Sequence, residues 1–446
     1  MTRSKGTGAG RIPFFRCESG SMVPMAVLGV ILIVGSLALA VDMTRLFRVE
    51  AQIQRIAENA ARLTAQNLYL MEDQALIPMV EGFIRQSLVD GSGVSAEGAG
   101  TNIVFIEVVQ DRQAGQVSVA FEVAVPTVLI SLFGAGEGNV LHAESRWQIS
   151  LPPSEIILVL DRTEQAALQS ALEGMKVGAA HFSRILDALP KQPETVRMGV
   201  VPLGGDRVNV APRKAWTRPE EWPVLVPPAV PGIKGWSGPL EEERWCVLPR
   251  YGEGRNMPIP PSVERFPVYL EITVTPDPET GLDRYEVTTP EDCDLLRLLP
   301  PEGQPGLVQA YLEGVTGHGV AATGTALTWA ERMLAPEWSG VWQAGTSFPA
   351  AYGAAQKAVI LVSGSANADA ALQDPLMGAV CDRLKSEGVA IHVVDYQSPP
   401  ETRAGLQQCA SEPARYFRVE NSGQLIRAFL DVIRFLTEIE SVSPWT

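Results

Sequence analysis

The sequence predicts an α/β protein: a doubly wound sheet domain with a Pro/Trp-rich insertion, preceded by one N-terminal transmembrane helix and a small α+β unit. Three observations predict it. Residues 21–41 read SMVPMAVLGVILIVGSLALAV, an apolar run without a charged side chain. From residue 155 onward, apolar strands alternate with helical segments, the rhythm of a largely parallel sheet covered on both faces. Between these strands, residues 204–305 hold 18 of the chain's 34 prolines, and proline cannot donate within a central ladder.

The apolar run comes first. Twenty-one helical residues rise about 30 Å, the depth of a bilayer's hydrocarbon core. Arg3, Lys5, Arg11 and Arg16 precede the run with Glu18 as the opposing charge. This bias makes residues 1–20 a cytoplasmic arm and puts the rest of the chain across the membrane. Arg45 and Arg48 follow the run, so the asymmetry is moderate. Two processing schemes compete with a retained anchor. Ala38-Leu39-Ala40 fits a small-x-small cleavage site after Ala40, but the run is long for a signal peptide. Pilin-type cleavage after Gly20 would need an acid where Met25 stands. The expectation is a retained anchor over 21–41.

Next, Leu46, Val49, Ile53, Ile56, Ala60 and Leu63 recur at spacings of three and four, an apolar stripe on one helix face. It is read as a helix packed on its own unit, or as a seam with another single-span protein. No Pro or Gly falls between Val41 and Leu70, so the membrane helix runs on beyond the bilayer. NIVFIEVV, QVSVAFEVAV and NVLHAESRWQISL, within 102–151, are rich in β-branched residues and separated by glycine-bearing turns. With the helix they make a small α+β unit over 42–152.

The α/β domain is expected over 153–440, with a tail at 441–446. Its strands are 155–161, 195–203, 357–364 and 389–396. Its helices are 165–189, 326–334, 374–388 and 424–438. The 204–305 insertion, with Trp216, Trp222, Trp236 and Trp245, contains one hairpin over 265–289 around Pro276–Gly281. Cys17 precedes the membrane run, which leaves Cys246, Cys293, Cys381 and Cys409 beyond it. Four cysteines outside the cytoplasm imply bridges with three connectivities. Cys246–Cys293 would staple the insertion, and Cys381–Cys409 would tie a helix to the segment after a sheet strand. Buried free thiols are the alternative.

Composition and motifs then exclude functions. A net charge of −15 opposes nucleic-acid binding, which needs clustered Lys and Arg to neutralise phosphates. His142, His181, His318 and His392 stand far apart, without zinc-like spacing. The sequence has no GxxxxGK[ST], GxSxG or HExxH, so no phosphate loop, hydrolase elbow or metalloprotease motif is present. Gly317-His318-Gly319 reads as a loop. Ser363-Gly364-Ser365 follows a strand, as a nucleophile does, but no His or acid pairs with it by spacing. No enzyme and no small-molecule substrate are expected.

In open α/β sheets, ligands bind beyond the carboxyl ends of the strands, where Asp161-Arg162-Thr163-Glu164-Gln165 stands. Here the sequence resembles a von Willebrand factor A (vWA) domain, a Rossmann-type fold whose metal site has Asp-x-Ser-x-Ser after its first strand. The whole chain is similar to the TadG-like proteins of bacterial Flp (Tad) pilus loci. The stretches that carry this are ESGSMVPMAVLGVILIVGSLALAVDMTRL, ILVLD, MGVVPLGGDRVNV, TGTALTWAERMLAPEW, KAVILVSGSAN, CDRLKSEGVAIHVVDY and LQQCASEPARYFRVENSGQLIRAFLDVI.

The resemblance implies a single-pass protein of the bacterial inner membrane, with its bulk in the periplasm. It implies pilus assembly proteins or pilins as partners, and a role in assembling or anchoring Flp-type pili. A released or envelope-bound adhesin, or an envelope-integrity protein unrelated to pili, is the alternative. Carried over residue by residue, the metal site is degenerate. Asp161 keeps the first acid, and Thr163 replaces the first serine with another hydroxyl. Gln165 stands at the second serine, Ala321 or Thr323 at the loop threonine, and Ser363 at the second acid. The expectation is no cofactor, with Mg²⁺ as the alternative.

Overall fold

The computed structural model describes residues 22–90, 102–125, 139–168, 170–191, 195–217, 245–250, 257–269, 271–276, 283–288, 293, 296–303 and 305–442. The N-terminal arm with Cys17, and Trp222 and Trp236, lie outside the described residues.

Helix α1 (Met22–Asn67) is continuous over 46 residues. Its first half exposes large apolar side chains to the surroundings, Leu32 at 71% and Leu37 at 60%. Its second half is covered. Val49, Ile53, Ile56 and Ala60 are buried, and Leu46 and Leu63 are partly so. A second helix, α2 (Asp73–Asp90), packs beside it. Arg112 closes the α1 end by donating to the carbonyls of Leu68 and Met71 and to Asp73, which satisfies carbonyls beyond the last turn.

Strands β1 (Asn102–Asp111), β2 (Gln116–Val125) and β3 (Asn139–Ser150) form an antiparallel sheet. Val117, Val119, Phe121, Val123 and Ala143 turn one face of it toward the α1 stripe. The stripe therefore faces this chain's own sheet. Gln54 Nε2 donates to the Glu144 carbonyl at 3.0 Å, and the Arg62 guanidinium lies over the Trp147 ring.

The chain then enters β4 (Ser154–Asp161), α3 (Glu164–Leu168), α4 (Ala171–Ala188) and β5 (Val196–Leu203). The helix expected over 165–189 is broken in two at Ser170, whose φ of 57° is left-handed. Within the 204–305 region lie two short ribbons, β6 (Val208–Asn209) with β7 (Cys246–Val247), and β8 (Glu271–Pro276) with β9 (Asp283–Thr288). The region's last strand, β10 (Leu299–Gly303), pairs with β5. The region thus contributes an edge strand, though no central one, to the main sheet. Pro300 and Pro301 are tolerated because β10 is an antiparallel edge, with a register shift between Leu299 and Gly303.

The rest alternates: α5 (Gly306–Glu313), α6 (Thr323–Leu334), β11 (Gln356–Ser363), α7 (Ala370–Ser386), β12 (Ala390–Tyr396), α8 (Pro400–Cys409), β13 (Tyr416–Val419), α9 (Ser422–Leu436) and β14 (Glu438–Ser441). The main sheet has the order β10-β5-β4-β11-β12-β13, parallel apart from β10. Numbered within the sheet this is 3-2-1-4-5-6, the doubly wound order.

Strand parity divides the core. Ile156, Leu158 and Leu160 face α4 and α9 in a cluster that continues to α1 and the small sheet. Ile157 and Val159 face α6, α7 and the insertion. Trp216 of the insertion meets Trp338 and Trp342 edge-on, at 5.4 and 5.1 Å between ring centroids, and Trp245 is also buried. Disulfides join Cys246 to Cys293 and Cys381 to Cys409.

Beyond α9 the chain returns to the small sheet. β14 pairs antiparallel with β3, with Ile439 opposite Ile149. Thr437 ends the helix in an extended conformation, and the alternation Glu438-Ile439-Glu440 then gives a half-buried strand. The small sheet thus holds both chain crossings to the α/β domain.

Candidate functional site

Strands β4, β11 and β12 end level with one another. Leu160 pairs with Val362, and Ser363 pairs with Asp395. Asp161, Ser363 and Asp395 are all fully buried at this carboxyl edge.

Asp161 is held by neutral donors. Its Oδ1 accepts from the Thr163 N–H at 3.0 Å and the Thr163 hydroxyl at 2.8 Å. Its Oδ2 accepts from the Gly364 N–H at 2.9 Å. Thr163 Oγ1 also lies 2.7 Å from Ser365 Oγ and accepts from the Ala166 N–H at 3.2 Å. A threonine hydroxyl has one proton and two lone pairs. Its proton goes to Asp161, so Ser365 must donate to it, and both lone pairs are then committed.

The other carried-over positions scatter. Gln165 is exposed on α3. Ala321 forms a bridge with Asn367, and its carbonyl accepts from the Ala368 N–H at 3.0 Å. The Thr323 N–H donates to Asn367 Oδ1 at 2.8 Å, and Asn367 donates to Asp374 at 2.7 Å. The hydroxyls of Thr323 and Ser363 are buried without a hydrogen-bond partner.

This donor set does not fit Mg²⁺, which needs a near-octahedral shell of oxygens with one or two carboxylates. One carboxylate is present among the carried-over residues, already accepting three bonds, and its neighbouring hydroxyl has no lone pair left. Among the described residues, no three His, Cys, Asp or Glu side chains converge as metal ligands. Nor does the geometry suit a serine nucleophile, because Ser363 is 0% and Ser365 1% exposed.

Sequence reasoning passed over Ser365 as a partner of Thr163, and over Asn367 and Asp395. Asp395 accepts from the Tyr416 hydroxyl at 2.5 Å and the Ser398 N–H at 2.9 Å, with Arg403 Nε at 3.8 Å. Burial, and then the bond to Asp395, raise the Tyr416 pKa. The signal was available: Asp395 stands one residue before the end of an apolar strand, much as Asp161 ends its own.

Beside Asp161 opens a cavity of about 300 Å³, lined among others by Arg162, Glu164, Asp206, Arg207, His318 and Val320. Three loops build it. The Arg162 N–H donates to the Leu203 carbonyl, and the His318 N–H donates to that of Arg162. Arg162 Nε donates to the Thr316 carbonyl at 2.8 Å. Gly319 has φ +69°, and a Cβ there would lie 2.0 Å from the Gly204 carbonyl oxygen, so the close loop approach requires glycine. Arg207 stacks 4.0 Å from the Tyr269 ring centroid, so the insertion fixes one wall.

Residues 20–67 match the family model described as putative Flp pilus-assembly TadE/G-like. No curated protein matches the chain. Among solved structures, the chain is similar to proximal thread matrix protein 1 of the mussel byssus, described with a zinc occupied MIDAS motif. Identity is 12% over 67% of this chain and 50% of that one, with a TM-score of 0.34. It is similar to a von Willebrand factor type A protein from Catenulispora acidiphila, at 11% identity over 76% and 50% of the two chains and a TM-score of 0.30. It is also similar to the vWF domain of the type V pili tip protein Mfa5 from Porphyromonas gingivalis. That match has 10% identity over 64% of this chain and 95% of that one, with a TM-score of 0.33. The chain spans half the length of the first two. Over residues 20–67, then, the chain is similar to the putative Flp pilus-assembly TadE/G-like family, and beyond them it folds as a doubly wound α/β sheet domain.

Proposed function

We propose that the chain is a single-span, non-enzymatic envelope protein that assembles or anchors Flp-type pili by protein–protein binding. Helix α1 carries this reading. Its first half exposes an apolar surface with mean hydropathy 2.5 over its most apolar window, and its second half is buried in the small sheet. One rigid element would thus join a bilayer to a binding domain. In this reading residues 1–20 are cytoplasmic, 21–41 span the inner membrane, and the rest is periplasmic. The folded units are 42–152 completed by 438–441, and 153–437. Pilins or pilus assembly proteins are the partners, and no metal takes part.

The cavity edge is the proposed docking face. It lies beyond the strand ends, where this sheet type binds ligands, and Val320 at its rim is 57% exposed. A photo-crosslinking residue at Val320 in the full-length protein in cells tests it, with Val177 on α4, also 57% exposed, as the control face. Crosslinks from Val320 to pilins or assembly components are expected, and fewer from Val177. Crosslinks confined to wall or outer-membrane proteins would replace the pilus role with envelope anchoring. A mature N-terminus at Val41 would sink the anchor and favour a released adhesin.

A further inference from the structure

Arg45 and Arg48 stand one turn apart on α1 and so share a face. Neither guanidinium has an ion-pair partner among the described residues. Rising 1.5 Å per residue, Arg45 lies about 6 Å and Arg48 about 10 Å past Val41. The headgroup layer outside the hydrocarbon core is about 5–8 Å deep, within reach of long side chains that snorkel. Phe47, 61% exposed, lies at the same level, where aromatic belts form.

Below the arginines the same face is apolar. Leu37, Ala40, Val41, Thr44, Arg45 and Arg48 line a groove of about 650 Å³. The side of the helix carrying Ala38, Asp42 and Ile53 is turned inward, at 6%, 3% and 1% exposure. Asp42, three residues before Arg45, borders this groove, but its side chain is turned inward and engaged within its own chain.

We propose that this face binds one anionic phospholipid. Its acyl chain lies along Leu37, Ala40 and Val41, and its phosphate sits between the two guanidiniums, whose planar donors match phosphate oxygens. An apolar helix of another protein would leave two cations unneutralised at the membrane surface, so the charge favours lipid. The inference rests on α1 being a membrane span.

Full-length protein in nanodiscs of phosphatidylcholine and phosphatidylglycerol, partly delipidated and read by native mass spectrometry, tests it. About tenfold enrichment of phosphatidylglycerol on the protein is expected, falling to near parity in the Arg45→Gln/Arg48→Gln variant. Equal retention of both lipids by the wild type, or undiminished enrichment in the variant, would overturn the lipid site. So would a co-purifying single-span protein crosslinked through Leu37 with no lipid retained. Release of the protein from native membranes by alkaline carbonate would instead overturn the anchor itself, and the lipid site with it.

Discussion

Strands β4 and β11 run side by side, yet their two ends are built on opposite rules. At the entry edge Glu155 and Lys357 face each other in register and are buried together at 4% exposure. Lys357 Nζ donates to Glu155 Oε2 at 2.6 Å and to the carbonyls of Leu334 and Ala350 at 2.7 Å, using all three protons. Glu155 Oε1 accepts from the Ala350 N–H at 2.8 Å. At the exit edge Asp161 is equally buried, but among the described residues no cation lies within ion-pair distance of it. Neutral donors hold it, and the hydroxyls of Ser363 and Thr323 are buried without partners. The complete pair does one structural job. The exit edge holds its buried acid with neutral donors alone.

The largest effect should come from breaking the complete edge. Lys357→Met leaves the Glu155 carboxylate buried without its cation, and a loss of about 3–5 kcal/mol is expected. Urea unfolding of the full-length protein in detergent measures it. The Glu155→Leu/Lys357→Met double variant should recover part of the loss, because no charge is then stranded. If the double variant is worse than the single, the ion pair is not the source of the difference between the edges.

Asp161→Asn should cost less, about 1–3 kcal/mol, since the lost partners are uncharged N–H and O–H groups. A loss as large as that of Lys357→Met would show that Asp161 carries more of the fold than its neutral contacts account for. Metal sharpens the same point. Neither Mg²⁺ nor Mn²⁺ should raise the melting temperature of the wild-type protein. A saturable rise with either would mean that the Thr163 and Asp161 lone pairs are released to the ion.

What was legible in the sequence divides along these edges too. Runs buried on both faces, such as Ile156–Leu160, announce a parallel strand by composition, and the long α1 follows from spacing and the absence of Pro or Gly. At the exit edge the sequence offered single residues, among them Gln165 and Ser363, without the contacts that join or separate them. The Thr163–Ser365 hydrogen bond was not, because it joins loops 202 residues apart. Nor was β14, four residues whose pairing depends on where α9 delivers the chain. β10 was hidden by its own prolines, a rule that binds central strands and spares edges.

His392 offers the smallest and most selective test, since it lies in the sheet interior between the two edges, opposite Ile360. Its Nε2 is 3.0 Å from Arg415 Nη1. A guanidinium cannot accept, so Nε2 must, which fixes a neutral ring with its proton on Nδ1. Burial first, and then the Arg415 charge, depress its pKa from 6.5 to about 3. The unfolded chain binds a proton below about pH 6.5, while the folded chain declines it until about pH 3. Stability is therefore complete above pH 6.5 and falls on acidification, by at most about 1.4 kcal/mol per pH unit from this ring. His181, also depressed by burial, acts in the same direction. Between pH 6.5 and 5, before most carboxylates titrate, the unfolding free energy of His392→Gln should fall less steeply than that of the wild type, since glutamine keeps an acceptor for Arg415 without titrating. Parallel slopes would mean that the sheet interior takes up the proton after all, and that neutrality there is not enforced as it is at Glu155–Lys357.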